Sequence, residues 1–105
     1  MSTNTNDIAV ACKLTNPELQ KRKAEVIDIL KSKVVTRKEL SNGFEYTFDG
    51  SDMMIDNVVR FIKSERICCN FFTFRLAIEN NENNITLSIT GPDGAKNFIT
   101  SEMSF

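Results

Sequence analysis

The sequence predicts an α+β fold, a two-layer ferredoxin-like sandwich with two helices on one face of an antiparallel sheet of four or five strands. Three observations carry this reading. Two stretches place apolar residues at helical spacing, one through Leu19, Val26, Ile27 and Leu30, the other through Ile55, Val58, Val59 and Ile62. Each is followed by two short runs that alternate apolar with polar residues across a turn. The alternation leaves each hairpin one wet face, so the other must be covered by helices. Two chain orders satisfy this. If Ile8-Ala9-Val10-Ala11-Cys12 is a strand, the order is βαββαβ with one strand added. If it is not, αββαββ is a circular permutation whose last strand takes the place of the usual first.

The first helix starts at Thr15-Asn16-Pro17-Glu18, which has the capping-box form. Leu14 and Leu19 stand at the staple positions, and Pro17 falls in the first turn, where its missing N–H costs nothing. Its apolar stripe, with the stem of Lys23, runs to about Lys33. Residues 34–40 read as a strand, Ser41-Asn42-Gly43 as a turn, and Phe44-Glu45-Tyr46-Thr47-Phe48 as its partner strand. Asp49-Gly50-Ser51-Asp52 breaks the hairpin and gives the second helix an anionic first turn, with Phe61 beside its stripe and an end near Arg66 or Ile67. Phe72, Phe74, Leu76 and Ile78 then alternate with polar residues or alanine. After Asn80-Asn81-Glu82-Asn83, so do Ile85, Leu87 and Ile89. Gly91-Pro92-Asp93-Gly94 ends the hairpin, and a short C-terminal helix with Phe98 and Ile99 inward closes the chain. Residues 1–7 read as a disordered N-terminus and 8–105 as one domain.

A chain of 105 residues should bury about two-thirds of its unfolded surface, enough for a core without disulfides. Net charge is −1, and no basic run forms a phosphate-binding stripe, so nucleic acid is not an expected partner. Lys21-Arg22-Lys23 reads as a solvated helix face beside Glu25 and Asp28. No apolar run approaches the roughly 20 residues that span a bilayer, and the start of the chain lacks a secretory pattern. An odd count of three cysteines fits a reducing compartment, so a cytoplasmic location is expected. Histidine is absent, which removes Ser-His and Cys-His nucleophile chemistry and histidine metal sites.

What remains for chemistry is thiol, carboxylate and cation, concentrated in Glu65-Arg66-Ile67-Cys68-Cys69-Asn70. In either chain order the helices run antiparallel, so Cys12 before the first and Cys68 and Cys69 after the second belong to one pole. The Ser41-Asn42-Gly43 turn and the Gly91-Pro92-Asp93-Gly94 loop come to the same pole. The positive end of the first helix, Lys13 and Arg66 would favour thiolates there. Without imidazole, thiolates select soft or borderline ions, Zn(II), Cu(I) or Hg(II), with Glu65 or water as the fourth ligand for zinc. In extended strand Cys68 and Cys69 would point to opposite faces; in a helix end or bend both can reach one ion. The competing reading is core filling, since cysteine packs as a small hydrophobe.

The segment Glu65-Arg66-Ile67-Cys68-Cys69-Asn70-Phe71-Phe72-Thr73-Phe74, with Cys12 before Leu14-Thr15 and Thr90-Gly91-Pro92-Asp93-Gly94-Ala95-Lys96-Asn97-Phe98 near the end, resembles a family of small bacterial proteins without an assigned activity. Some of them are encoded near mercury-resistance genes. Its members usually carry proline after the cysteine pair, where Asn70 stands in this chain. The resemblance implies an association with thiophilic metals. The expectation is therefore a small cytoplasmic protein that binds a soft metal ion or thiophile through Cys12, Cys68, Cys69 and Glu65, without another cofactor. The alternative is a non-catalytic interaction or homodimer module that uses the open sheet face carrying Thr47, Arg75, Thr86 and Ser88, with cysteines as packing. An enzyme with Cys68 or Cys69 as nucleophile or redox centre is the third reading, and it lacks a histidine base.

Overall fold

The structure, a computed structural model, describes residues 17–102 and all their side chains except those of Leu19, Cys68 and Glu102. The elements run α1 (Pro17–Lys33), β1 (Thr36–Leu40), β2 (Gly43–Asp49), α2 (Asp52–Cys68), β3 (Thr73–Glu79), β4 (Asn84–Thr90) and α3 (Ala95–Glu102), with a 3-10 turn at Asn80–Glu82. All neighbouring strands are antiparallel, in the order β1-β2-β4-β3. Among the described residues this is the αββαββ order: β4 lies in the middle of the sheet, where the first strand of an unpermuted ferredoxin-like sandwich would be. The run at residues 8–12 and the cap at Thr15 lie outside the described residues.

The central strands carry the core because they have neighbours on both sides. Phe44, Tyr46 and Phe48 of β2 stand opposite Ile89, Leu87 and Ile85 of β4, and all six are buried. The edge strands are more exposed, β1 almost throughout and β3 with Phe74 and Leu76 half-buried. The other face carries Glu45, Thr47, Thr86, Ser88 and Arg75, in keeping with the predicted wet face. Gly43 begins β2 where only a hydrogen fits, since a Cβ there would stand 1.8 Å from the Ile89 carbonyl oxygen.

Both long helices bury one stripe. In α1 it is Lys23, Val26, Ile27 and Leu30, as the spacing predicts. In α2 the deepest line is Met54, Val58, Phe61 and Glu65, whereas Ile55, Val59 and Ile62 are half-buried. The predicted stripe was thus rotated: α2 meets the sheet beneath it and α1 beside it, so its apolar arc is wide and the expected residues form the flank. Ser51 caps α2, its Oγ accepting from the Met54 amide at 3.1 Å, and the Ser51 amide donates to Asp49 Oδ1 at 2.9 Å. Hydrogen bonding from the Ser51 side chain, and then from its amide, holds the Asp49 carboxyl below its usual range. β1 begins at Thr36, two residues later than expected, although the Val35 amide still donates to the Thr47 carbonyl at 2.8 Å. No helix among the described residues is long and apolar enough to cross a membrane.

Burial pushes the Tyr46 phenol up to about 12, against about 10 in an unfolded chain. Between those values the unfolded chain gives up a proton that the folded chain keeps, so stability falls as pH rises through this window. Tyr46 is the chain's single tyrosine, so phenolate absorbance reports on it alone. In an alkaline titration that absorbance is expected to rise late and together with loss of helical circular dichroism. A rise near pH 10 with the fold intact would contradict the burial.

Candidate functional site

Lys23 lies one turn before Ile27 on the buried stripe of α1, and Glu65 lies one turn after Phe61 on that of α2. Because the helices are antiparallel, the early part of α1 faces the late part of α2. The two charges therefore meet. Lys23 Nζ stands 3.4 Å from Glu65 Oε2, with the lysine side chain 11% exposed and the glutamate 0%. A carboxylate without water needs such a cation, because desolvating it unpaired costs several kcal/mol.

Cys69 follows the last residue of α2 and is fully buried. Its amide donates to the Glu65 carbonyl at 2.6 Å, closing the final turn, and its φ of −127° and ψ of 74° take the chain out of the helix. One turn apart on the same face, its Sγ–H donates to Glu65 Oε1 at 3.7 Å. Cysteine thiol, glutamate carboxylate and lysine ammonium thus form one continuous polar chain inside the hydrophobic layer.

The bend that follows is held by aromatic packing. The Phe72 amide donates to the Cys69 carbonyl at 3.3 Å. The Phe71 and Phe72 rings lie 4.5 Å apart, and both meet Phe98 of α3, at 5.5 and 5.9 Å. Gly91 admits this contact: a Cβ there would stand 3.3 Å from both the Phe71 carbonyl oxygen and the Phe72 ring, and 2.9 Å from Ala95. The Gly91 amide donates to Asn42 at 3.0 Å, so the Gly91-Pro92-Asp93-Gly94 loop and the Ser41-Asn42 turn do meet, lining a cleft of about 430 Å³ with Glu39, Lys96 and Asn97. The loop is a turn, its Pro92 carbonyl accepting from the Ala95 amide at 3.0 Å. Lys96 pairs with Glu39 and holds that carboxyl below its usual range, chiefly through the hydrogen bond.

Of the predicted site residues, the structure brings Glu65 and Cys69 together. Cys68 is the last residue of α2 and Cys69 its cap, so the pair stands at a helix end and not in strand. Cys12 lies outside the described residues, as does the side chain of Cys68. Among the described residues no group of three or more cysteine, aspartate or glutamate side chains is placed to hold a metal. The cation beside the buried carboxylate is Lys23; Arg66 is exposed. The sequence placed the stem of Lys23 on the apolar stripe with Val26, Ile27 and Leu30 but read its charge, with Lys21 and Arg22, as part of a solvated face; the structure buries the charge too. Comparison with protein-family models, curated protein sequences and solved structures finds no match to this chain.

The pair has an asymmetric cost. Lys23→Met leaves a carboxylate with no exposed surface and no ammonium, and is expected to destabilise the fold by about 3 kcal/mol. Glu65→Gln leaves a lysine whose long stem lets its head move to water, and should cost less. Lys23→Met/Glu65→Leu should recover part of the loss. Urea unfolding of the three variants checks this order; equal costs would place the pair in water.

Proposed function

We propose that this protein binds a soft metal ion or organometallic cation through the Cys69 thiolate and the Glu65 carboxylate, with Cys68 and Cys12 as further thiol donors. The observation that supports it is the 3.7 Å between Cys69 Sγ and Glu65 Oε1. Metal–sulfur and metal–oxygen bonds of about 2.3 and 2.1 Å at a tetrahedral angle put two ligand atoms of one zinc ion roughly 3.6 Å apart. Binding would replace the S–H···O hydrogen bond by two bonds to the ion, and the thiol proton would leave to solvent. Lys23 balances the carboxylate in the absence of the ion. The likeness of the Glu65-Arg66-Ile67-Cys68-Cys69 segment to proteins encoded near mercury-resistance genes points to the same class of ion, and a cytoplasmic chain of this kind would sequester it or pass it on.

The test is native mass spectrometry of the reduced full-length protein titrated with Zn(II), Cu(I) and Hg(II), beside single Cys→Ser variants and Glu65→Gln. One ion per chain is expected, with one proton lost per thiolate engaged. Cys69→Ser should weaken uptake at least tenfold, about 1.4 kcal/mol. Non-stoichiometric uptake that is equal in the wild type and every variant would sink the proposal.

A further inference from the structure

Among the described residues the sheet has two edges, and they differ. At β1 the middle residues are Arg37, Lys38 and Glu39, of which Arg37 lies 4.1 Å over the Phe44 ring and Glu39 is held by Lys96. Charges of this kind protect an edge from further pairing. At β3 the middle residues are Arg75-Leu76-Ala77-Ile78, followed by Glu79. Ile78 is 51% exposed and Leu76 half-exposed, and among the described residues no strand lies on the outer side of β3.

The backbone direction at this edge follows from the ladder. The Gly91 amide bonds to Asn42 and the Gly50 amide to Asn83, so the odd-numbered residues of β4 bond to β2 and the even-numbered ones face β3. In the β3–β4 register those even residues stand opposite Thr73, Arg75, Ala77 and Glu79. The N–H and C=O groups of Phe74, Leu76 and Ile78 therefore point outward.

We propose that β3 pairs antiparallel with β3 of a second copy about a two-fold axis through Ala77, joining the two four-stranded sheets into one. The segment Arg75–Glu79 is complementary to itself in that register. Arg75 stands opposite Glu79 of the other copy, twice by symmetry, and the small Ala77 stands opposite itself on the axis. Leu76 and Ile78 form the hydrogen-bonded pairs, so their outward backbone groups bond across the axis while their exposed side chains cover each other. Arg75 and Glu79 fall at non-hydrogen-bonded positions, where facing side chains are closest. The same operation on β1 would set Lys38 against Lys38.

Sedimentation velocity of the full-length protein across the micromolar range tests this. The wild type is expected to be a dimer. Arg75→Glu puts like charges together at two places and should weaken dimerisation roughly tenfold, as should Glu79→Arg. The double swap Arg75→Glu/Glu79→Arg should restore it, and Ile78→Lys should give a monomer with unchanged circular dichroism. In hydrogen exchange, the Leu76 and Ile78 amides should slow as concentration rises. A monomer at every concentration overturns the proposal, as does a dimer indifferent to the charge swaps. A monomer with both amides already slow would show the edge occupied by this chain's own residues 8–12, and also overturns it.

Discussion

A carboxylate with no exposed surface, carried on the face of a helix that lies on a hydrophobic core, sets the terms for this fold. Glu65 also stands near the carboxyl end of α2, where the backbone adds partial negative charge. Both conditions penalise its ionised form, and the Lys23 ammonium answers both. Because that ammonium comes from α1, the pair fixes which turn of α1 lies opposite the end of α2. Apolar stripes such as Val26-Ile27-Leu30 and Val58-Phe61 tolerate sliding by small amounts, whereas a buried ion pair does not. The helical layer is held by hydrocarbon and registered by charge.

The architecture was legible because its signals are periodic. Alternation in Phe44-Tyr46-Phe48 and Ile85-Leu87-Ile89, separated by glycine- and asparagine-rich turns, specifies strands and their inward faces directly. Helical spacing specified both long helices. The exact face of α2 was less legible, because Met54 and Phe61 fill depth while the branched Ile55, Val59 and Ile62 fill the flank, and hydrophobicity alone does not separate depth from flank. At the site, the sequence pointed to Glu65 and Cys69 through their crowding with Cys68. It placed the stem of Lys23 on the buried stripe but not its ammonium at the site, because a charge next to Lys21 and Arg22 reads as solvent-facing. A contact across 42 residues of chain depends on how two helices cross, which no local pattern encodes, although charged residues on two stripes otherwise buried were the available clue.

Permutation of the chain order has a structural consequence at the sheet's edges. With β4 in the middle, both central strands belong to hairpins, so among the described residues the edges are their sister strands β1 and β3. Each edge strand meets one neighbour and presents one row of backbone groups outward. β1 satisfies its side chains locally, through the Phe44 ring and Lys96. β3 receives α2 and the Phe71-Phe72 bend at its start but carries few charges along its length, so its outer row is the less protected of the two.

The buried thiol and this edge strand lie four residues apart, and in the proposed site the bend between them would decide how an ion reaches Cys69. Parting α1 from α2 would expose Glu65 only by breaking its ion pair with Lys23, the costliest contact in that layer to lose. The bend is tied more lightly in its backbone, by the Phe72-to-Cys69 hydrogen bond at 3.3 Å, and is otherwise held by rings packed on Phe98 and Gly91. Ring contacts are reversible without leaving a charge unpaired. In the proposed site, entry from the bend would therefore leave the helix register intact and reach the thiol before the carboxylate, the order in which a thiophilic ion would engage them.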